Sequence, residues 1–387
     1  MPIFLIPSIP QLNFNVYVEA RERFERRLNK DFDITKVDNR GDLLSRWRLG
    51  AQGSFAKALS GEVQFQYAGN AIWTKKKNYG TENRDLSLAY AKFKSRDWTI
   101  NAGRQKINIG QQRLIGSFEW NNVGRSYDGL RIQNKSWDVF AGRIGLAFPL
   151  PAEARIAGIV HMDPKIGNTM LVLKHDEGST GKVDIQTLDH SFLRSFGALA
   201  FEAEGALQVG KNLGKDQRAW AFHTKIATSK GFFKPYLELN IASGGSSSSE
   251  SHTFDNLYST NHGKFGIADM CGWKNIEHLA IGMDYSVNEK LSVKASWNHF
   301  RLQNARDAWY GASGLPNSHG GVPFKDPIGA SGREVGSEFD IDSTYTLSKN
   351  WSISSGLALF NPGGYVQNLT GREDRQVWGY LQVLARF

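Results

Sequence analysis

Cationic side chains recur in this chain at alternate positions of segments that are apolar in between. Residues 12–25 show the arrangement first, with Phe14 and Val16 on one face and Arg21 and Arg23 on the other. An arginine guanidinium is planar and permanently charged, so it can donate two parallel hydrogen bonds to a carboxylate. A ladder of weak arginine sites would pass an anion by exchange between neighbours, whereas one tight site would retain it.

The candidate cations of such a ladder fall on the polar faces of predicted strands. They are Arg21, Arg23, Arg46, Arg48, Lys225, Lys294 and Arg386, with Arg104, Arg131 and Arg143 as further candidates. Arg104 and Arg131 share that face only if bulges at Gly103 and Gly129 interrupt the alternation. The polar faces also carry the acids Glu19, Glu62, Glu202, Glu204, Glu238, Asp284, Glu338, Asp340 and Asp342. Each charge could instead pair across neighbouring strands and brace the wall.

A period of two indicates β-strands whose two faces meet different surroundings. The pattern covers almost the whole chain, and its polar face carries both charge signs. It therefore predicts an all-β fold, a single antiparallel transmembrane barrel with lipid outside and a wet, charged interior. No run of about 18 apolar residues occurs, which excludes a transmembrane helix. Eleven Trp, 12 Tyr and 23 Phe suit aromatic girdles at two membrane interfaces.

The connections between predicted strands alternate between short and long. Residues 95–97 and 288–289 form short turns, whereas residues 107–125, 244–275 and 303–333 form long connections. Short periplasmic turns and long extracellular loops are typical of bacterial outer-membrane barrels. The long connections all stay on one side if the ambiguous middle of the chain supplies three strands. The count is then about 18, an even number as this architecture requires.

The predicted organisation is a tail over residues 1–11 and one barrel over residues 12–387. The tail contains three prolines and lacks the basic start of a secretory signal. The last segment, residues 378–387 (WGYLQVLARF), alternates and ends on Phe387, as barrel insertion signals do. These features predict the Gram-negative outer membrane, with its lipid as a partner. The single cysteine, Cys271, excludes an intrachain disulfide.

The net charge of +9 indicates an anionic partner. Nucleic acid is not predicted, because the Lys and Arg residues are dispersed along strands rather than clustered. His252, His262 and Asp255 share one loop, but their spacing matches no zinc rule. The sequence contains no phosphate-binding glycine loop and no nucleophile elbow. We therefore expect no metal, no cofactor and no enzymatic activity.

Two stretches carry a more specific signal. Residues 103–131 read GRQKINIGQQRLIGSFEWNNVGRSYDGLR, and residues 253–262 read TFDNLYSTNH, with GWKN following at 272–275. Both resemble the alginate export porin family. The resemblance implies an 18-stranded barrel with an arginine-rich constriction that conducts an acidic polysaccharide, and a periplasmic export complex as a partner. It favours Arg21, Arg46, Arg104 and Arg131 as pore residues. The glycines and aromatics of both stretches could also serve only to pack inward-folded loops.

The sequence thus predicts a passive, anion-selective outer-membrane channel for an acidic polysaccharide or uronate-type oligosaccharide, with export implied by the resemblance. The first alternative is a substrate-specific uptake porin for small carboxylates. Both predict anion selectivity, but only an exporter should depend on a periplasmic export complex. A second alternative is an enzyme or adhesin built on a barrel scaffold.

Overall fold

The computed structural model describes residues 13–35, 39–70, 82–147, 153–178, 181–319 and 321–387; the predicted tail over residues 1–11 lies outside them. Eighteen strands within these ranges form one closed antiparallel barrel. The last strand closes the barrel by pairing with the first, so that Arg386 lies opposite Glu19. The prediction of an all-β barrel of about 18 strands is confirmed.

Neighbouring barrel strands are neighbours in the chain. The first ten are β1 (Asn13–Leu28), β2 (Arg40–Ala56), β3 (Leu59–Asn70), β4 (Asn83–Ser95), β5 (Trp98–Gln105), β6 (Ser126–Gln133), β7 (Trp137–Leu146), β8 (Glu153–Asp163), β9 (Gly167–Gly178) and β10 (Gly181–Phe196). The other eight are β11 (Leu199–Asn212), β12 (Lys215–Thr228), β13 (Phe233–Ala242), β15 (Ile276–Ser286), β16 (Leu291–Arg301), β19 (Glu334–Thr346), β20 (Trp351–Pro362) and β21 (Gln376–Arg386). Outside the barrel lie β14 (Glu250–Ser251), β17 (Ser318–His319), β18 (Val322–Pro323) and α1 (Gly364–Thr370).

Successive residues of each strand face the outside and the inside of the barrel in turn. On β1, Phe14 and Val16 are exposed on the outer face, whereas Arg21 is buried on the inner face. On β12, Trp220 is exposed outside while His223 is fully buried inside. Apolar side chains therefore face the hydrocarbon region and polar groups face the interior, as a transmembrane barrel requires.

The ambiguous middle of the chain forms three strands, β8, β9 and β10, as the loop pattern predicted. With three strands there, the long connections at residues 106–125, 243–275, 302–333 and 363–375 all leave the same end of the barrel. This is the extracellular end. We call residues 106–125 the inserted loop and residues 243–275 the second loop, because both fold into the interior.

Loops fill the extracellular half of the barrel with an apolar core of their own. Phe32, Trp309 and Phe360 stack there, and the Trp309 and Phe360 ring centroids are 5.7 Å apart. Helix α1 contributes the buried Tyr365 and Val366 to the same core. Among the described residues, no helix is long and apolar enough to cross a membrane. The extracellular half of the interior is thus a packed region.

Candidate functional site: an inserted loop between two charged walls

Four arginines lie side by side on the inner faces of β1 and β2. Arg21, Arg23, Arg46 and Arg48, which we call the arginine wall, are each at most 3% exposed. Arg21 lies directly opposite Arg46 in the register of the two strands. Like charges directly opposite each other destabilise a sheet. The wall therefore requires negatively charged or dipolar partners.

The tip of the inserted loop supplies those partners. The Glu119 carboxylate lies 2.6 Å from Arg48 Nη1 and 3.4 Å from Arg46 Nη2, and its other oxygen lies 3.0 Å from Lys106. The backbone carbonyl of Glu119 accepts hydrogen bonds from Arg21 at 2.8 Å and from Arg46 at 2.9 Å. Burial opposes ionisation of Glu119, but Arg48, Arg46 and Lys106 outweigh it and hold the pKa of this carboxyl well below its usual range.

Trp120, next in the loop, fixes the tip to a second part of the wall. Its ring lies 4.0 Å from the Arg23 guanidinium and stacks on the His262 imidazole with 3.8 Å between ring centroids. Its backbone carbonyl accepts a 2.8 Å hydrogen bond from Arg23. Cation–π contacts in dehydrated surroundings stabilise by about 2 kcal/mol. The loop tip is therefore held by charge, by stacking and by backbone hydrogen bonds.

The base of the inserted loop meets the opposite charge on the far side of the barrel. Arg113 is buried among Glu202, Glu204 and Glu238 of β11 and β13, which we call the acid wall, at 3.5, 3.6 and 3.4 Å. His223 Nε2 lies 2.9 Å from the same guanidinium. In the barrel order, at least five strands separate the acid wall from the arginine wall in either direction. One loop thus crosses the interior, presenting a cation to the acids and an anion to the arginines.

The two sequence stretches that resemble the alginate export family pack against each other inside the barrel. Ile115 of the inserted loop and Tyr258 of the second loop form a parallel β-bridge. The backbone N–H of Gly116 donates to Tyr258, and that of Tyr258 donates to Leu114, both at 2.9 Å. Stretches more than a hundred residues apart in the chain therefore form one interior unit.

Lys174 on the inner face of β9 anchors the second loop to the wall. Its ammonium lies 2.9 and 3.0 Å from the two carboxylate oxygens of Asp255. Burial disfavours the charged carboxylate, but Lys174 outweighs it and lowers the pKa of Asp255. The backbone N–H of Asp255 also donates to Gln208 of β11 at 2.8 Å.

Three cavities adjoin this unit in the described part of the chain. The outer cavity, of about 390 Å³, lies above the arginine wall and includes Glu25, Arg27 and Trp378. The periplasmic cavity, of about 350 Å³, lies between β1 and β4 and includes Glu62 and Lys92. The two ends of β1 line these two cavities, so the arginine wall in the middle of β1 lies between them.

The third space, the lysine cavity, measures about 340 Å³ and adjoins the acid wall. It is lined by Lys225, Lys264 and Lys294 together with the acids Glu238, Asp284, Asp340 and Asp342. Lys264 belongs to the second loop. Burial, with the nearby positive charge of Arg113, lowers the pKa of its ammonium to about 8.

The predicted site residues therefore fall into separate places. Arg21, Arg23, Arg46 and Arg48 form the arginine wall with Glu19, which contacts Arg46, Arg48 and Arg386. Lys225, Lys294, Glu238, Asp340 and Asp342 surround the lysine cavity. Glu338 is fully buried beside it and accepts a 2.9 Å hydrogen bond from the backbone of Ala268. Arg131 faces inward and makes a bidentate pair with Asp138 at 2.6 and 2.9 Å.

Arg104 and Arg143 lie on the outer face of the barrel, contrary to their assignment to the lumen from sequence. Arg104 is opposite Asp128, which is opposite Arg143, and the same face carries the exposed Leu130 and Val139. The strands show no register shift at either proposed bulge position.

The two glycines have a different role from the predicted one. A Cβ at Gly103 would lie 2.3 Å from the backbone oxygen of Ala89, and one at Gly129 would lie 2.1 Å from that of Ala141. These glycines allow close approach of backbones without changing the alternation. Arg131 consequently reaches the interior without a bulge, whereas Arg104 does not.

Sequence reasoning missed the loop side chains Lys106, Arg113, Glu119 and Lys264. Loops lack the period of two that identified the strand residues. The available signal was the stretch of residues 111–120 (QQRLIGSFEW), which contains both Arg113 and Glu119. The resemblance marks the position of this stretch but not the role of each of its charges.

Potential metal ligands come together on the outside of the barrel. Among the described residues, Glu153, His175 and Glu177 place one ligand atom each within 4.8 Å of one another. The loop histidines make other contacts: His262 lies 3.0 Å from Asp269, and His252 lies 3.4 Å from Glu250.

Comparison with protein families gives one extended match. The model of a family described as "Alginate export" matches residues 12–143 and 173–380. A search of curated protein sequences finds no match.

Solved structures similar to this chain include several from Pseudomonas aeruginosa. OccK2 (OpdF) in complex with glucuronate has a TM-score of 0.65 and 12% identity, covering 97% of this chain and 98% of that one. OpdK with vanillate has a TM-score of 0.62 and 13% identity, with 97% and 98% covered. The outer membrane protein OprD has a TM-score of 0.62 and 11% identity, with 97% and 93% covered. At these identities the likeness shows the fold alone.

Proposed function

The chain belongs to the alginate export family of outer-membrane β-barrels, and on this premise we propose that it is an anion-selective channel whose solutes pass along the arginine wall. The observation that carries the proposal is an excess of buried positive charge there. Within 4.0 Å of the four arginines, the described part of the chain supplies only the carboxylates of Glu19, Glu25 and Glu119. Lys106 and Arg386 add further positive charge to the same carboxylates.

The geometry suggests how an anion would move through this region. A solute carboxylate entering the outer cavity meets Arg27, and beyond it the arginine wall. Glu119 occupies the position between Arg46 and Arg48 that such a carboxylate would take. Exchange of Glu119 for the solute keeps both guanidinium groups paired at each step. Loss of such a buried partner without replacement would cost several kcal/mol.

Cavity size favours small acidic sugars in this arrangement of the loops. The three cavities measure about 340 to 390 Å³, at the lower end of the roughly 300–1,000 Å³ typical of small-ligand sites. A single uronate or a short oligouronate fits that range. Glucuronate, bound in the OccK2 structure, is a sugar of this chemical class.

Export of a polysaccharide is the second candidate, and the description of the family favours it. A polymer would have to thread between the two walls, which the inserted loop now joins through Arg113 and Glu119. It would therefore require that loop to leave at least one wall. Dependence on a periplasmic export complex would belong to this candidate and not to uptake of small carboxylates.

Reversal potentials in planar bilayers test the proposal. In Arg46→Gln and Arg48→Gln variants, we expect the anion-to-cation permeability ratio to fall about tenfold, because each removes one poorly screened charge from the path. Arg104→Gln, on the outer face, is the matched control and should leave the ratio unchanged. An unchanged ratio in both wall variants, with the barrel folded, would remove the arginine wall from the path.

Blocking experiments separate the two candidates. Glucuronate, oligouronates of two to six sugars and alginate are added in turn to single channels. Current block by glucuronate and short oligouronates alone would support uptake of small carboxylates. Block by alginate, together with a wider open state, would support export of the polymer.

A further inference from the structure

A row of charged side chains crosses the outer face of the barrel near its extracellular end. Its members occupy consecutive register positions on β5 to β12, each directly opposite the next. They are Arg104, Asp128, Arg143, Arg155, His175, Asp184, Lys211 and Asp216, which we call the outer charged row.

Most side chains of the row are paired with an adjacent member. Arg104 makes a bidentate pair with Asp128 at 2.6 and 3.0 Å, and His175 Nδ1 lies 2.5 Å from Asp184. Lys211 contacts Asp216. The signs therefore complement each other along both parts of the row.

The complementarity fails at Arg155, which lies directly opposite Arg143 on one side and His175 on the other. The nearest carboxylate to Arg143 among the described residues is Asp128 at 3.7 Å, and Asp128 is already engaged by Arg104. Arg155 contacts Glu153 at 3.1 Å. Both side chains remain open, at 72% and 62% exposure. Two cations facing each other on adjacent strands repel unless an anion lies between them.

A groove of about 660 Å³ opens at this pair of arginines. Below the arginines it is lined by the small or apolar side chains Ala141, Ala157 and Leu173. The outward positions one step toward the periplasm are apolar on five consecutive strands, ending with Leu173 on β9. The arginines thus lie at the boundary between the apolar band of the barrel and its extracellular rim.

We propose that this groove binds a phosphorylated glycolipid of the outer leaflet, with its phosphate between Arg143 and Arg155. The two guanidinium groups would donate charge-assisted hydrogen bonds to the phosphate oxygens. An acyl chain would lie over Ala141, Ala157 and Leu173. Phosphate restores the alternation of charge that the protein alone leaves incomplete, and basic pockets on membrane proteins are a recurring form of lipid headgroup recognition. The proposal does not depend on what passes through the channel.

Native mass spectrometry of the full chain in detergent micelles tests the proposal. The probe is a hexa-acylated glucosamine disaccharide bisphosphate, compared with the same lipid without phosphates. We expect the wild-type chain to bind the phosphorylated lipid, and an Arg143→Gln, Arg155→Gln double variant to bind it at least about tenfold more weakly. Arg218→Gln is the matched control, since Arg218 is an exposed outward arginine of β12 outside the groove; it should bind as the wild type does.

Two further arms decide what is bound. Millimolar inorganic phosphate should compete poorly; competition as effective as that of the lipid would indicate a free-phosphate site and overturn the proposal. Equal binding by the double variant would also overturn it. If EDTA abolishes the binding and the double variant retains it, the lipid is bound through a metal ion at Glu153, His175 and Glu177, which would overturn the proposal. The double variant should keep the wild-type reversal potential, which separates this result from any failure of the proposed conduction path.

Discussion

Arginine lies directly opposite arginine on both faces of this barrel, and two such pairs allow a comparison, one inside and one outside. The inner pair is Arg21 and Arg46, and the outer pair is Arg143 and Arg155. The inner pair is buried and receives partners from the inserted loop, including the carbonyl of Glu119, and from Glu19 on β1. The outer pair is more than half exposed and points toward the membrane boundary. The same unfavourable arrangement is thus completed by the chain itself on one side of the wall and, we propose, by lipid on the other.

Burial determines how much the loss of a single ion-pair partner destabilises an arginine. A charge inside the packed barrel interacts through a low effective dielectric and has little water to replace a lost partner. A charge on the outer rim is screened by solvent and salt, so its pairs contribute little. The inner arginines should therefore depend strongly on particular carboxylates, and the outer arginines should not.

Removal of one carboxylate on each side gives the largest expected difference. Glu19→Gln takes a partner from Arg46, Arg48 and Arg386 and should lower the free energy of unfolding by about 3 kcal/mol or more. Glu153→Gln, which takes the partner of Arg155, should lower it by about 0–1 kcal/mol. Reversible urea unfolding in lipid vesicles, followed by tryptophan fluorescence, measures both. Equal losses would contradict the distinction between inner and outer arginines.

Neutralising the loop tip should change conduction. Glu119→Gln removes the negative charge that faces Arg46 and Arg48, so we expect anion conductance and anion selectivity to rise by about threefold. Single-channel recording in a salt gradient measures both quantities. Glu177→Gln, an exposed outward position on β9, is the control. A fall in anion selectivity would show that Glu119 does not oppose anions at the wall.

The smallest effect concerns a lysine rather than an arginine. The pKa of Lys264 is lowered to about 8, so its ammonium loses its charge as the pH rises through that value, while the arginines keep theirs. Anion selectivity should therefore fall by about twofold between pH 7 and 9. Lys264→Arg should remove this pH dependence and retain the selectivity measured at pH 7. A wild-type channel with constant selectivity over that range would show that the charge of Lys264 does not influence the conducted anions.

The barrel could be predicted from sequence because one physical constraint repeats in every strand. Lipid on one side and water on the other impose a period of two on each strand. In the middle of the chain the number of strands was ambiguous, and the alternation of short and long connections indicated the three strands β8, β9 and β10. The predicted family and the outer-membrane location are confirmed by the match over residues 12–143 and 173–380.

The candidate site could be predicted only in part. Arg21 and Arg46 were identified because they lie on regular strands, where the face follows from the alternation. Arg104 was placed on the wrong face because a one-residue bulge reverses every side chain beyond it, and the expected bulge at Gly103 is absent. Arg113 and Glu119 could not be assigned because loop conformation depends on contacts with remote strands.

The inserted loop joins two oppositely charged walls through contacts that are mostly removed from solvent, and this separates two responses to ionic strength. Mobile ions screen exposed charges over about 10 Å at 0.1 M salt, but they scarcely weaken contacts that exclude water. Added salt should therefore slow the capture of anions at the mouth while Arg113 and Glu119 hold the loop in place. A cell moving between dilute and saline water would then change how often solutes arrive, with the constriction they meet unaltered.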